Sequence, residues 1–444
     1  MAQELFVAPA GTDIPAGADQ GIERVYRKVI LRLLPVLFVG YVLCTLDRLN
    51  IGYAHLQMRA DLGLTDAAYG FGAGLFFLTY MAFEVPGSML LRRVGVRRMI
   101  FRIMFGWGVV SAGTMFVTSP TQFYIARLLL GMCEAGFFPA IIYYFSLWLP
   151  SHRRARIIAS FMMAIVAANV FGGPISGLIL DRMHDVLGLR GWQWLFLLEG
   201  LPSCLVAFIA YSRLRENPAA ATFLSNEERQ ALVRALANDR GTEHAGRSVQ
   251  SFAKLVRDWR VYAFAFVFYC TTATAYGIGF WGPAVVKSFG VHSAFDIGLL
   301  IGGPSLLAGA AMWFNGAHSD RKMERRWHFA LPAIVCSISL AVLGLSDQSL
   351  TASVILFSLA VIGIQSAVPI FWSVPSGYLA APVAAAGIAY INTIAVFSGF
   401  VTPWLLGLLR AKAGNFSGGL LVLSVFALMA AVAMLVFAPR KLKA

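Results

Sequence analysis

Six charged residues lie well inside long apolar stretches of this 444-residue chain: Asp47, Arg48, Glu84, Arg127, Glu134 and Glu199. A charge held away from water costs a few kcal/mol or more, so each must face a partner or a wet cavity. Arg48 and Arg127 carry the chemistry for holding a carboxylate. A guanidinium offers it two parallel hydrogen bonds and does not lose its proton. The plain alternative is that each arginine only neutralises a neighbouring acid. Asp47 and Glu134 carry the chemistry for moving a proton. A buried carboxylate beside an arginine is pulled between its neutral and charged forms, so it can take up a proton and release it; the alternative is a permanent salt bridge. Arg127 and Glu134 are seven residues apart, which on a helix puts both on one face about 10 Å apart along the axis. Two acids and two arginines sum to zero. An anion entering among them frees one acid from its arginine, and a proton then compensates it. Tyr80 is placed to complete such a pocket. Glu84 precedes Val85-Pro86 and is expected to satisfy backbone groups or gate arginines. Glu199, beside Gly200 and Pro202, reads as a packing or gating pair.

The elements that must position these groups follow from composition. The chain is 58% hydrophobic and 13% charged, with a mean hydropathy of +0.71, too much apolar surface for a soluble protein of this length. Twelve stretches are long enough to cross a bilayer: 29–55, 69–91, 99–119, 122–149, 156–180, 192–212, 261–287, 296–316, 328–346, 350–375, 383–409 and 417–438. None alternates apolar and polar residues as a barrel strand does, so an all-α membrane protein is expected. The net charge of +14 does not point to nucleic acid, because the basic residues crowd into short loops. Arg92, Arg93, Arg97 and Arg98 follow span two; Arg153, Arg154 and Arg156 follow span four; Arg321, Lys322, Arg325 and Arg326 follow span eight. The positive-inside rule then places both termini in the cytoplasm. No signal peptide precedes the polar 1–25 tail, and the first span is expected to act as its own insertion signal. Residues 213–258 are polar and read as a cytoplasmic linker lying on the membrane surface, with Leu232, Val233 and Leu236 in an amphipathic pattern. The linker separates a six-helix bundle over 26–212 from another over 259–440, with a 441–444 tail. The turn Arg92 to Arg98 after span two is echoed by Asp320 to Arg326 after span eight, so the two bundles are expected to be pseudo-symmetric, with a site between them.

Four passages carry a resemblance: Leu46-Asp47-Arg48-Leu49-Asn50-Ile51-Gly52; Tyr69 to Gly74 leading to Glu84-Val85-Pro86-Gly87; Ala126 to Ala140 around Arg127 and Glu134; and Gly191-Trp192-Gln193-Trp194 running to Pro202. From about residue 25 onward the chain resembles the major facilitator superfamily. More narrowly, it resembles the anion:cation symporters of the tartrate, phthalate and hydroxyphenylacetate permease branch. The resemblance implies proton-coupled uptake of a small organic acid anion by alternating access, with Arg48 and Arg127 on the substrate and Asp47 and Glu134 coupling the proton. It implies hydrogen bonds to substrate from Asn392 and Ser373 in the second half, a monomer, and a multi-pass place in the bacterial inner membrane. In one respect the chain departs from the superfamily. The loop aspartate expected after span two gives way to Arg92-Arg93, and only the second half keeps it, as Asp320 beside Arg321, a pair expected to serve gating or structure.

Other classes fit less well. An exporter or drug antiporter would favour an apolar or cationic substrate, which the paired arginines oppose. An enzyme would need a nucleophile–base set or a metal cluster, and the seven histidines, expected in loops or near span ends, offer neither. The five cysteines show no metal spacing and read as small core residues. No cofactor is expected beyond the proton as coupling ion, with Na⁺ left open. A receptor on the same fold would show no net flux.

Overall fold

The structure, a computed structural model, describes residues 16–244, 256–379 and 381–438. Among them there is no strand, and twelve helical segments are long and apolar enough to cross a membrane. The first half holds α1 (Ala16–Asp61), α2 (Asp66–Val94), α3 (Val96–Gly113), α4 (Pro120–Glu134), α5 (Phe137–Trp148), α6 (Ser151–Arg182) and α7 (Gly191–Arg213). The polar α8 (Asn226–His244) follows. The second half holds α9 (Trp259–Ser288), α10 (Ala294–Lys322), α11 (Arg326–Leu345), α12 (Leu350–Tyr378), α13 (Ala381–Val396), α14 (Ser398–Ala413) and α15 (Ser417–Phe437). Span four is the pair α4 and α5, and span eleven the pair α13 and α14.

The halves repeat one packing scheme. Span three packs on span six and span nine on span twelve; span two on span four and span eight on span ten; span one on span five and span seven on span eleven. The halves meet along two seams related in the same way, span five on span eight and span two on span eleven. In lipid, apolar side chains gain little by leaving one hydrocarbon for another, so close helix contact depends on small residues. A Cβ on Gly173 would lie 2.6 Å from the Gly298 carbonyl oxygen, and one on Gly74 would lie 2.6 Å from that of Phe400. These seams exist because glycine lines them.

One expectation is corrected and another gains detail. The first helix runs well beyond 29–55 at both ends, so His55 is not at a span end but inside a helix, and it is buried. The described part of the linker, residues 213–244, packs onto the first bundle. Leu232 and Leu236 are buried, Glu228 pairs with Lys28 of α1, and Arg154 of α6 pairs with Asp239. Lone leucines at helical spacing read equally well as lipid-facing or protein-facing; the charges beside them, matched to basic residues on α1 and α6, decide it.

Candidate functional site

Arg48 and Glu134 form an ion pair between α1 and the end of α4. Glu134 Oε1 also accepts from Cys44 Sγ at 3.2 Å, while Oε2 is buried without a hydrogen-bond partner. The helix break just beyond fixes this carboxylate in place. Ala135 leaves helical geometry, and Gly136 takes φ +86°, a left-handed conformation suited to glycine. Span four therefore bends where Glu134 sits, and α5 restarts with Pro139 in its first turn, where its missing N–H costs nothing.

Arg127 is 2% exposed and stands apart from this pair. Its Nη2 donates to the Ala73 carbonyl at 3.3 Å, and its Nε and Nη1 have no hydrogen-bond partner. A buried guanidinium with two idle donors is several kcal/mol short of its solvation in water. The face of Phe76, 5.2 Å from its centre, offsets part of that. The Arg48 guanidinium lies 5.3 Å from the same ring and 5.2 Å from Tyr80, which stacks on Phe76 at 5.7 Å. Phe76 thus stands against both arginines. In the sequence it is one apolar residue among many. Its signal was the four-residue spacing to Tyr80, which places both rings on one face of α2.

The four charges are not one cluster. Asp47 is wholly buried and turned away from Arg48. It accepts from Ser111 Oγ at 2.6 Å, Ser203 Oγ at 3.3 Å and Asn50 Nδ2 at 3.4 Å. Neighbours on a helix point about 100° apart, so Asp47 faces α3 and α7 while Arg48 faces α4. Glu199 joins this second polar layer, accepting from Ser176 Oγ at 2.7 Å. Glu84 is half-buried and has no hydrogen bond or ion pair from its carboxylate among the described residues.

In the second half, Ser373 spends its hydroxyl on the Ile370 carbonyl of its own helix at 2.7 Å, and Asn392 is half-buried with no hydrogen bond from its amide among the described residues. Tyr276 of α9 reaches Phe77 at 4.6 Å, bringing the second half up to the first near Phe76. Asp320 is exposed and pairs with Arg325 at 2.6 Å, and Arg321 is exposed; the pair stays within its own loop. The matching loop of the first half is fastened by Glu216, which accepts from the Arg97 backbone N–H at 3.3 Å, while the Arg97 side chain donates to the Tyr211 carbonyl at 2.6 Å. A carboxylate is thus supplied from beyond span six, where no loop motif would indicate it.

Bonds between the halves gather at the end opposite the basic loops. Tyr69 donates to the Phe280 carbonyl at 3.0 Å, and Asp181 accepts from Ser293 Oγ and from the backbone N–H groups of Ala294 and Phe295 at 2.9–3.1 Å. Arg410 lies 3.5 Å from Asp66. The central arginines sit below this seal.

Known proteins match this arrangement. A family profile described as the Major Facilitator Superfamily matches residues 37–403. A protein of Pseudomonas putida named for metabolite transport, NicT, is 42% identical over 432 residues, covering 96% of this chain and 98% of its own. A protein of Agrobacterium vitis named for tartrate transport is 40% identical over 427 residues, covering 95% and 93%. Among solved structures, a bacterial homologue of the human lysosomal transporter Spinster, inward-facing and occupied, superimposes with a TM-score of 0.75 at 16% identity, covering 93% of this chain and 97% of that one. That likeness establishes the fold; the sequence matches establish the family. Twelve spans in two matched halves, closed on one another at one end above the central arginines, belong to a multi-pass membrane transporter and not to an enzyme, and this chain is a member of the Major Facilitator Superfamily.

Proposed function

We propose that this transporter imports a small organic acid anion, of the tartrate or aromatic carboxylate type, together with a proton. The observation that carries the reading is Arg127, buried with two idle donors that a carboxylate would fill. The names of the relatives for tartrate and metabolite transport support the class of cargo. With the basic loops in the cytoplasm, the sealed end faces outward, and the state described here is closed to the outside.

Coupling follows from charge balance. Arg48 is 22% exposed at its side chain and bound to Glu134. An anion that bridges Arg127 and Arg48 competes for the Arg48 donors and leaves Glu134 buried with its charge uncompensated. A proton on Glu134 restores neutrality, so anion and proton enter the site together. When the anion leaves, Arg48 returns to Glu134 and the proton is expelled. Asp47, held by hydroxyls and an amide with no arginine on it, is a second proton acceptor behind the site. Tyr80 shapes the Arg48 side of the pocket, and Asn392 and Ser373 are assigned to the substrate from the second half.

Proteoliposome uptake tests the proposal. Labelled tartrate, phthalate, hydroxyphenylacetate, sugar acids and benzoate are offered with a pH gradient of either sign, with a Na⁺ gradient, and with none. Accumulation of an acid driven by an outside-acid gradient is expected. Accumulation driven only by Na⁺, or efflux driven by an outside-acid gradient, would overturn the coupling or the direction.

A further inference from the structure

A cleft of about 580 Å³ opens at the sealed end of the molecule, on the seam between the halves. Its walls include His55, Arg59 and Gly63 from the first half and Lys287, Ser288 and Arg410 from the second. None of its lining residues is acidic. Among the described residues the carboxylate that pairs with its lining is Asp66, shared among three neighbours at distances longer than good hydrogen bonds: Arg59 at 3.4 Å, Arg410 at 3.5 Å and His55 at 3.7 Å. Lys287 is exposed and has no ion pair among the described residues. Three cations against one carboxylate leave two positive charges uncompensated. A cleft lined by one sign of charge between low-dielectric walls concentrates its field.

Binding capacity also stands idle there. His55 is 4% exposed, and neither ring nitrogen has a hydrogen-bond partner; Arg410 Nη1 is likewise buried without a hydrogen bond, its ion-pair contact being the long one to Asp66. The His55 ring packs at a 34° tilt on Tyr69 at 3.9 Å and edge-on to Trp281 at 5.2 Å, and so is kept at the floor of the cleft. Tyr69 and Trp281 are themselves anchored to backbone carbonyls of Phe280 and Pro403, at 3.0 and 3.1 Å. This aromatic layer lies between the cleft and the central arginines, since His55 is seven residues, about 10 Å, further along α1 than Arg48.

We propose that this cleft is a second anion site, which takes a small dianion from the outer face. Arg59 of one half and Lys287 and Arg410 of the other hold it jointly, with His55 at its floor. Two negative charges match the two left over. A dicarboxylate and an inorganic dianion such as sulfate share that chemistry. Because the ligands come from both halves, an occupant ties the halves together and favours the state closed at this end. The site goes beyond the transport site and does not depend on Arg127.

Calorimetric titration of the full chain in nanodiscs, at fixed ionic strength, tests this. Disodium tartrate and sodium sulfate are titrated separately into Arg127→Ala, which removes the proposed anchor of the central site, and into the same variant carrying Lys287→Ala or Lys287→Glu. Lys287 is exposed, so neither change threatens the fold. Saturable dianion binding is expected to persist in Arg127→Ala, to weaken at least tenfold with Lys287→Ala and to vanish with Lys287→Glu. Binding of both anions assigns the site to dianions in general; binding of tartrate alone assigns it to organic diacids. No saturable binding of either anion in Arg127→Ala, or binding unchanged by Lys287→Glu, overturns the proposal. Should Arg127→Ala fail to fold, the same titrations on the unaltered chain and on Lys287→Glu alone must differ by one dianion site. If the central reading is wrong and Arg127 anchors nothing, Arg127→Ala binds as the unaltered chain does while Lys287→Glu still removes a site, so the two failures are distinguishable.

Discussion

Arg127 and Glu134 share a helix but not a partner, and that separates their expected phenotypes. Removing the guanidinium in Arg127→Ala takes away a charge-assisted, two-donor contact worth about 3 kcal/mol. Substrate affinity of the purified protein should fall roughly a hundredfold; affinity within twofold of the parent would remove Arg127 from the site. Glu134→Gln keeps the shape and mimics the protonated acid. It should bind and exchange substrate yet fail to concentrate it on a pH gradient, and pH-driven accumulation by this variant would end its coupling role. Phe76→Leu stays apolar at somewhat smaller volume and removes the ring face under both arginines. Cation–π contacts of this kind are worth about 1 kcal/mol each, so KM for uptake should rise several-fold with the protein still folded by thermal unfolding. The charges were legible in the sequence because they are rare in apolar runs. Their pairing was not, since adjacent residues such as Asp47 and Arg48 face different helices. Phe76 was hidden because an aromatic under a cation looks like any other apolar residue.

At the scale of the element, the ends and breaks of helices do specific work. Gly136 holds φ +86° between α4 and α5. Gly136→Ala should cost about 1–2 kcal/mol in backbone strain and displace Glu134, lowering both thermal stability and coupled transport. The turn before α11 is organised by Glu324, which lies outside the spans. Burial alone would raise its pKa, but the backbone N–H groups of Trp327 and His328 and the His328 ring outweigh this and hold the carboxyl below its ordinary range. A depressed pKa contributes stability that is complete above the ordinary glutamate value near 4.5 and is lost as the pH falls through the lower folded value. Unfolding temperature should therefore drop on acidification below that value, and Glu324→Gln, already lacking the charge, should show a smaller drop. An identical acid slope in the two proteins would assign the loss elsewhere.

For the whole molecule, the seal between halves sets which way the site opens. Asp181 accepts three hydrogen bonds at the start of α10 from across the seam. Asp181→Ala removes them all, a loss of a few kcal/mol, enough to shift a two-state equilibrium more than tenfold. The expected result is a gain in labelling, from the sealed end, of a cysteine placed at Ile51, which is wholly buried beneath that seal. Unchanged labelling would show that the remaining contacts, the Tyr69 and Arg410 bonds and the glycine-lined packing, keep the end shut without Asp181.

The sequence by itself determined the class of molecule: twelve apolar spans, their helical nature, the division into halves and the residues too costly to bury without purpose. Those follow from period, length and the energy of a charge in hydrocarbon, all local properties. The tertiary structure decided the rest. Helix rotation paired Arg48 with Glu134, left Arg127 with open donors and turned Asp47 towards Ser111 and Ser203. The extended α1 carried His55 from a supposed span end into a buried seam, and α8 found its partners on the first bundle. Span limits and residue types do not encode the angle at which one helix faces another. That angle is set by which small residues meet across each seam, so only the folded chain shows which charges find partners and which are left waiting for a ligand.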